Sequence, residues 1–168
     1  MASGVLFLDL AAQVGWAYGR QGDSRPLVGA WQLPVAAADP GRFFALFNNA
    51  LLDALTIHDP EYIGVEARLP VIAQKSEAAA VNAIGLWAIL AETAWRWERR
   101  LVQRSSGTIR SAVIGRGRFG KGEAKDAVEA WCVSQGWDIA NHNARDAAVG
   151  WAYEVGFRAT KASKASAA

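Results

Sequence analysis

The sequence predicts a single α/β domain: a mixed five-stranded sheet, its first three strands antiparallel, flanked by helices. Three observations lead there. The chain has 168 residues, of which 52% are hydrophobic and 20% charged, enough apolar material for one core and too much for a disordered chain. Three strand-like runs crowd the first 33 residues with only short connections, which forces an antiparallel meander. After them, helical spacing alternates with short apolar runs, giving the order β-β-β-α-β-α-β-α-α.

The elements follow in turn. Val5–Asp9 is a short apolar run that ends on an acid. Gly15–Gly19 and Gly29–Leu33 carry aromatic or β-branched residues and are bounded by turn signals such as the GDSRP segment. Over 43–57 the pattern becomes helical, with Phe44, Phe47, Leu51 and Leu55 on one stripe, and His58-Asp59-Pro60 stops it. Tyr62–Val65 reads as a strand that runs into Glu66. An alanine-rich helix is predicted over 77–100, then a short strand from Leu101 and Val102, a turn of helix over 107–114, and a glycine-basic loop over 115–122. Two more helices are expected, 123–134 ended by Gly136 and 143–155 ended by Gly156. Residues 1–158 then form the folded domain, and 159–168, a basic alanine-serine run, are expected to be disordered.

Charge is lopsided along the chain. Residues 1–84 carry 5 basic and 8 acidic side chains, residues 85–168 carry 13 and 8, and residues 96–125 alone carry 9 and 2. Concentrated base after an acidic half suits an enzyme acting on nucleic acid; the bland alternative is a solvated charged face. One cysteine, Cys132, excludes a disulfide framework and a Cys-based zinc site, and two histidines exclude a His-rich one. The start of the chain lacks a basic segment before its apolar run, so no signal peptide is expected. The longest apolar stretch, 78–97, is interrupted by Asn82 and Glu92, which suits a buried helix better than a membrane span. The expected location is cytoplasmic.

Three acids stand where strands and helices bring them together: Asp9 and Glu66 at strand ends, and Asp146 in the last helix. A buried carboxylate costs several kcal/mol unless it is paired or bound to a cation. One such acid has dull explanations, a cap or an edge ion pair. Three of them, in a chain short of Cys and His, point to hard divalent metal, and carboxylate oxygen suits Mg²⁺. Two such ions ~4 Å apart clamp the attacking and leaving oxygens of a phosphodiester. The glycine-basic loop, with Arg116, Arg118, Phe119 and Lys121, and Lys125 beyond it, suits phosphate contacts along a DNA backbone. Phe119 reads either as a stacking wedge or as a ring folded back onto the core.

With these residues in view, the chain resembles the RuvC-type Holliday junction resolvases, closest to their phage-encoded branch. The opening Val5-Leu-Phe-Leu-Asp9, continued by Gly15-Trp-Ala, looks like theirs; Ile63-Gly-Val-Glu66 resembles their second acid; Ile109 to Gly117 followed by Lys125-Asp-Ala-Val128 is similar to their DNA-contacting segment and places basic residues at Arg110 and Lys125; Asn143-Ala-Arg-Asp146 is similar to their last acidic motif. The resemblance spans about residues 4–156, in the right order. It implies a ribonuclease H-like nuclease domain, cleavage of branched DNA such as four-way junctions with two Mg²⁺ ions (Mn²⁺ substituting), no nucleotide cofactor, and a homodimer. In that scheme Asp9 bridges both ions, Glu66 and Asp146 hold one each, Asn143 orients a ligand or water, and Lys121 or Lys125 offsets charge at the scissile phosphate. Many cellular members carry an acid or histidine where Asn143 stands, and His142 is the other candidate for that place.

Two other classes compete with the nuclease. A nucleotide-binding ATPase module of the actin and sugar-kinase kind also opens with a strand running into Asp, but needs a second phosphate loop and a longer chain. A silent DNA-binding scaffold would be expected to have lost an acid, and all three are present. Within the nuclease class, action on RNA is the nearest alternative. Eight tryptophans exceed the needs of a small core; Trp87 and Trp95, eight apart, are expected on an exposed stripe that forms a dimer seam.

Overall fold

The computed structural model describes residues 4–36, 38–68, 76–120 and 122–166, from 157 onward as backbone alone. Five strands, β1 (Gly4–Asp9), β2 (Gln13–Arg20), β3 (Leu27–Gln32), β4 (Tyr62–Glu66) and β5 (Arg100–Arg104), form one sheet in the order β3-β2-β1-β4-β5. The β1–β2 and β2–β3 pairs are antiparallel, and β4 and β5 join in parallel to β1. That is the mixed sheet expected, and its two parallel central strands end together, at Asp9 and Glu66.

Alternation along β1 divides the core in two. Leu6 and Leu8 face α1 (Pro40–His58) and α2 (Glu77–Arg96), where Phe43, Phe47, Leu51, Leu55, Leu86 and Leu90 fill the space with large side chains. The α1 start is marked by the Asp39 side chain, which accepts a hydrogen bond from the Arg42 amide, with Pro40 as the first helical residue. Val5 and Phe7 face the other way, toward α3 (Ser106–Ile114), α4 (Glu123–Ser134) and α5 (His142–Ser166), where small residues such as Ala144, Ala147 and Ala148 allow close approach. A Cβ on Gly150 would stand 2.1 Å from the Phe7 ring, and one on Gly15 2.0 Å from the Asn143 carbonyl oxygen. The two glycines let α5 lie directly on β1 and β2.

Several boundaries differ from expectation: β2 and β3 each begin two residues earlier and α1 three, and two helix ends differ more. The long helix ends at Arg96 rather than at Arg100, because Trp97 and Glu98 turn the chain (Glu98 with φ 53°) and Arg100 is already strand. The last helix begins one residue earlier, at His142, and passes Gly156 to Ser166, through the segment for which disorder was expected. Alanine and lysine, which dominate that segment, are strong helix formers, and an internal glycine is tolerated at a cost of about 1 kcal/mol.

Most tryptophans are core. Trp137 and Trp151 are buried against one another with ring centres 6.1 Å apart, and Trp131 meets Trp137 edge-on. The pairing expected for α2 is not found: Trp87 packs inward while Trp95 is 79% exposed. Val81, Ile84 and Trp95 instead share the exposed stripe of α2. By length and composition α2 would also pass as a membrane span, with 28% of its most apolar window buried.

Candidate metal-carboxylate site

The parallel arrangement of β1 and β4 sets the site. Residues 5, 7 and 9 of β1 and 62, 64 and 66 of β4 alternate onto the face that α5 covers, so Asp9 and Glu66 leave their strands on the side where Asp146 descends from α5. The three carboxylates are close enough to act on one another. Burial raises Asp9 well above the usual carboxylate range, and the charges of Glu66 and Asp146 push it further. Burial, then Asp146, lifts Glu66 to about 7. Asp146 is raised too, chiefly by burial.

Cations oppose this, among them Arg145, which acts on Asp146 alone of the three. Arg110, half-buried on α3 beside the core residue Ile109, lowers all three acids; Lys125, exposed in the first turn of α4, lowers Asp9 and Asp146. A side-chain hydrogen bond from Ser106 lowers Glu66, and His142 is a further positive influence on Asp146. The balance still leaves the acids raised, so they are under-neutralised.

Asn143 has a role in the fold. It is 8% exposed, and its Nδ2 donates to the Gln13 carbonyl oxygen at 2.7 Å, an acceptor that fixes which end of the amide is nitrogen. Asn141 Nδ2 donates to Gln13 Oε1 at 2.7 Å, while Asn141 Oδ1 caps α5 by accepting from the Ala144 amide at 3.0 Å. Gln13 thus ties the start of β2 to the start of α5. Neither Gln13 nor Asn141 was flagged by the sequence, and neither was Ser106; polar side chains with local partners carry no pattern that distinguishes them from surface residues.

The basic loop divides. Arg116 lies over the Phe119 ring at 5.0 Å and pairs with Glu123 at 3.7 Å, so the half-buried Phe119 has one face covered by its neighbour. Arg118 borders an open basin with Ser105, Gly107, Thr108 and Ser111. Neither arginine is among the charges acting on the three acids. Lys121 lies outside the described residues.

Asp9 and Glu66 open into a cleft of about 370 Å³ whose far wall is α2, through Ala79, Asn82, Ala83 and Leu86. The donor chemistry fits a divalent cation: hard oxygen ligands, half-buried near one another, raised chiefly by burial and, for Asp9 and Glu66, also by neighbouring carboxylates. Among the described residues no three His, Cys, Asp or Glu side chains gather tightly enough to surround one ion. Carboxylates shared pairwise between two ions do not require such a cluster.

No protein-family model matches this sequence, and no curated protein matches it. Solved structures do match by fold. Thermus thermophilus RuvC in complex with a Holliday junction substrate superposes with a TM-score of 0.68 at 15% identity, over 90% of this chain and 94% of that one. A second Thermus thermophilus RuvC structure gives 0.65 at 16%, over 89% and 93%. The yeast mitochondrial Holliday junction resolvase gives 0.61 at 14%, over 92% of this chain and 76% of that one. The fold of this chain is therefore the fold of those resolvases.

Proposed function

We propose that this protein is a divalent-metal-dependent endonuclease that cleaves branched DNA, four-way junctions in particular. The observation that carries the proposal is the convergence of Asp9, Glu66 and Asp146, under-neutralised and beside two cations, on the fold shared with junction resolvases. A buried acid cluster without counter-charge is costly to keep unless a cation occupies it.

Asp9, Glu66 and Asp146 would hold two ions between them, with Asp9 contributing to both. Bound there, Mg²⁺ or Mn²⁺ supplies Lewis acidity toward the phosphate and activation of the attacking water. Arg110, the cation that acts on all three acids, holds positive charge where a phosphodiester enters, and Lys125 does so from the rim. With its amide anchored to Gln13, Asn143 presents Oδ1 as the atom for a metal ligand or water, and His142 is the second candidate, through its field on Asp146. Arg116, Arg118 and Phe119, away from the acids, would contact the DNA backbone farther along.

Two copies are part of the proposal. The exposed apolar stripe of Val81, Ile84 and Trp95 on α2 suits a second copy of the chain. Trp95→Lys should shift sedimentation from dimer to monomer, and a wild-type monomer would remove the homodimer.

The deciding assay incubates the protein with labelled four-way junction, linear duplex and RNA–DNA hybrid, with Mg²⁺ or EDTA. Junction cleavage that needs Mg²⁺ is the expected result. Preferred cleavage of the hybrid would favour the RNA-directed reading; binding with no cleavage of any substrate would favour a scaffold.

A further inference from the structure

A fully buried carboxylate lies farther along α5 from the three half-buried acids and takes no part in the scheme above. Glu154 is 1% exposed and sits eight residues beyond Asp146 on α5, a little over two turns, which puts it roughly 12 Å farther down the helix. Its Oε2 accepts from the Tyr62 hydroxyl at 2.7 Å and its Oε1 from Arg104 Nε at 2.7 Å, while Arg104 also donates to the Tyr62 hydroxyl at 3.3 Å. The guanidinium rests over the Tyr153 ring at 5.8 Å. The ion pair and its hydrogen bonds are complete where the upper acids are not.

The position of Arg104 gives this cluster its interest. In the parallel β4–β5 pairing, Arg104 is the register partner of Glu66. Lateral partners in a sheet stand about 4.8 Å apart and share a face, so a guanidinium at Arg104 is within reach of the Glu66 carboxylate. It turns down the sheet to Glu154 instead, and Arg104 is absent from the charges that act on Glu66.

We propose that Glu154 is a positioning residue for the carboxylate site: it holds Arg104 away from Glu66, so that Glu66 remains open to a cation. The inference rests on the metal-site reading above. Without Glu154, Arg104 becomes an internal competitor, able to form the charge-assisted bond to Glu66 that a metal ion would otherwise make. Glu154 also fastens α5 to β4 and β5, so a change there acts on stability as well, and the experiment must separate the two.

The test uses the full chain, with Mg²⁺ binding measured by calorimetry in the absence of DNA and cleavage measured in parallel. Glu154→Gln keeps the shape and removes the charge. It should weaken Mg²⁺ binding by about tenfold, the size expected of one partly buried charge-assisted bond. Cleavage should return to near the wild-type maximum at high Mg²⁺. The double variant Arg104→Gln/Glu154→Gln, which removes competitor and anchor together, should restore wild-type Mg²⁺ affinity even where melting stays depressed. Unchanged affinity in Glu154→Gln, or a loss that the double variant does not repair, would overturn the proposal and leave Glu154 a structural tie. Absence of Mg²⁺ binding by the wild-type protein would instead overturn the metal site itself.

Discussion

Glu154 and Asp146 lie about two turns apart on one helix, Asp146 near the ends of β1 and β4 and Glu154 over β4 and β5, yet their surroundings are opposites. Around Glu154 every carboxylate oxygen has a donor, one of them a guanidinium, and Arg104 is raised by the hydrogen bond between them. Around Asp146 the near neighbours include two other carboxylates, and the cations reach it without a direct ion pair among the described residues. The same residue chemistry is stabilising at one level and costly at the other. Costly burial of acids is the mark of a candidate cation site, whereas the satisfied lower cluster is scaffold.

The comparison breaks most visibly under neutralising substitutions. Asp9→Asn, Glu66→Gln and Asp146→Asn should each reduce Mg²⁺-dependent junction cleavage by about 10³-fold or more, as expected when several kcal/mol of transition-state stabilisation is lost. Gel-shift affinity for the junction should stay close to wild type, and melting temperature should hold or rise as repulsion is relieved. Wild-type cleavage by any one variant would take that acid out of the site. Glu154→Ala should behave in the opposite sense, losing about 3 kcal/mol in denaturant unfolding because Arg104 and Tyr62 lose their buried acceptor.

Much of the upper level was legible in the sequence. An acid that closes an apolar strand, as Asp9 and Glu66 do, breaks a pattern that the surrounding residues make plain, and Asp146 stands in an alanine-rich run for the same reason. The meander followed from spacing alone; the mixed character of the sheet was expected without the pairing of its fourth and fifth strands. The lower level was invisible: Glu154, Arg104 and Tyr62 are separated by 42 to 92 positions, and each looks ordinary where it stands. Asn143 was read as a site group from the resemblance, whereas its tie to Gln13 depends on a contact across 130 positions. Trp87 and Trp95 were placed together because eight residues is near two turns; the extra rotation of about 80° separates them, and Trp87 packs inward.

Acidity gives the comparison a pH signature. Glu66 lies at about 7 in the fold against an ordinary value of 4.5, so the folded state holds more protons than the unfolded one between those values. Stability of the metal-free protein should therefore fall as pH rises from about 4.5 to 7, with Asp9 and Asp146, both also raised, adding to the fall. Melting in EDTA across that range should show a drop of several degrees, and Mg²⁺ should reduce it. A rise over the same window would mean that the acids are paired in solution.

The smallest effects belong to the rim. Arg110→Ala and Lys125→Ala should each weaken junction binding and make the plot of log affinity against log salt shallower by ~1. An unchanged slope in both would assign these residues to local charge balance rather than to phosphate contact.

The central claim is that the three upper carboxylates form a cation site held partly protonated until it is filled. Calorimetric titration of Mg²⁺ into the DNA-free protein at pH 7, repeated in two buffers of different ionisation heat, reads it directly. Glu66, at about 7, must release protons as the cation binds. The account predicts saturable binding with net proton release, both lost in Asp9→Asn. Binding without proton release, or no binding in the wild-type protein at millimolar Mg²⁺, would contradict it.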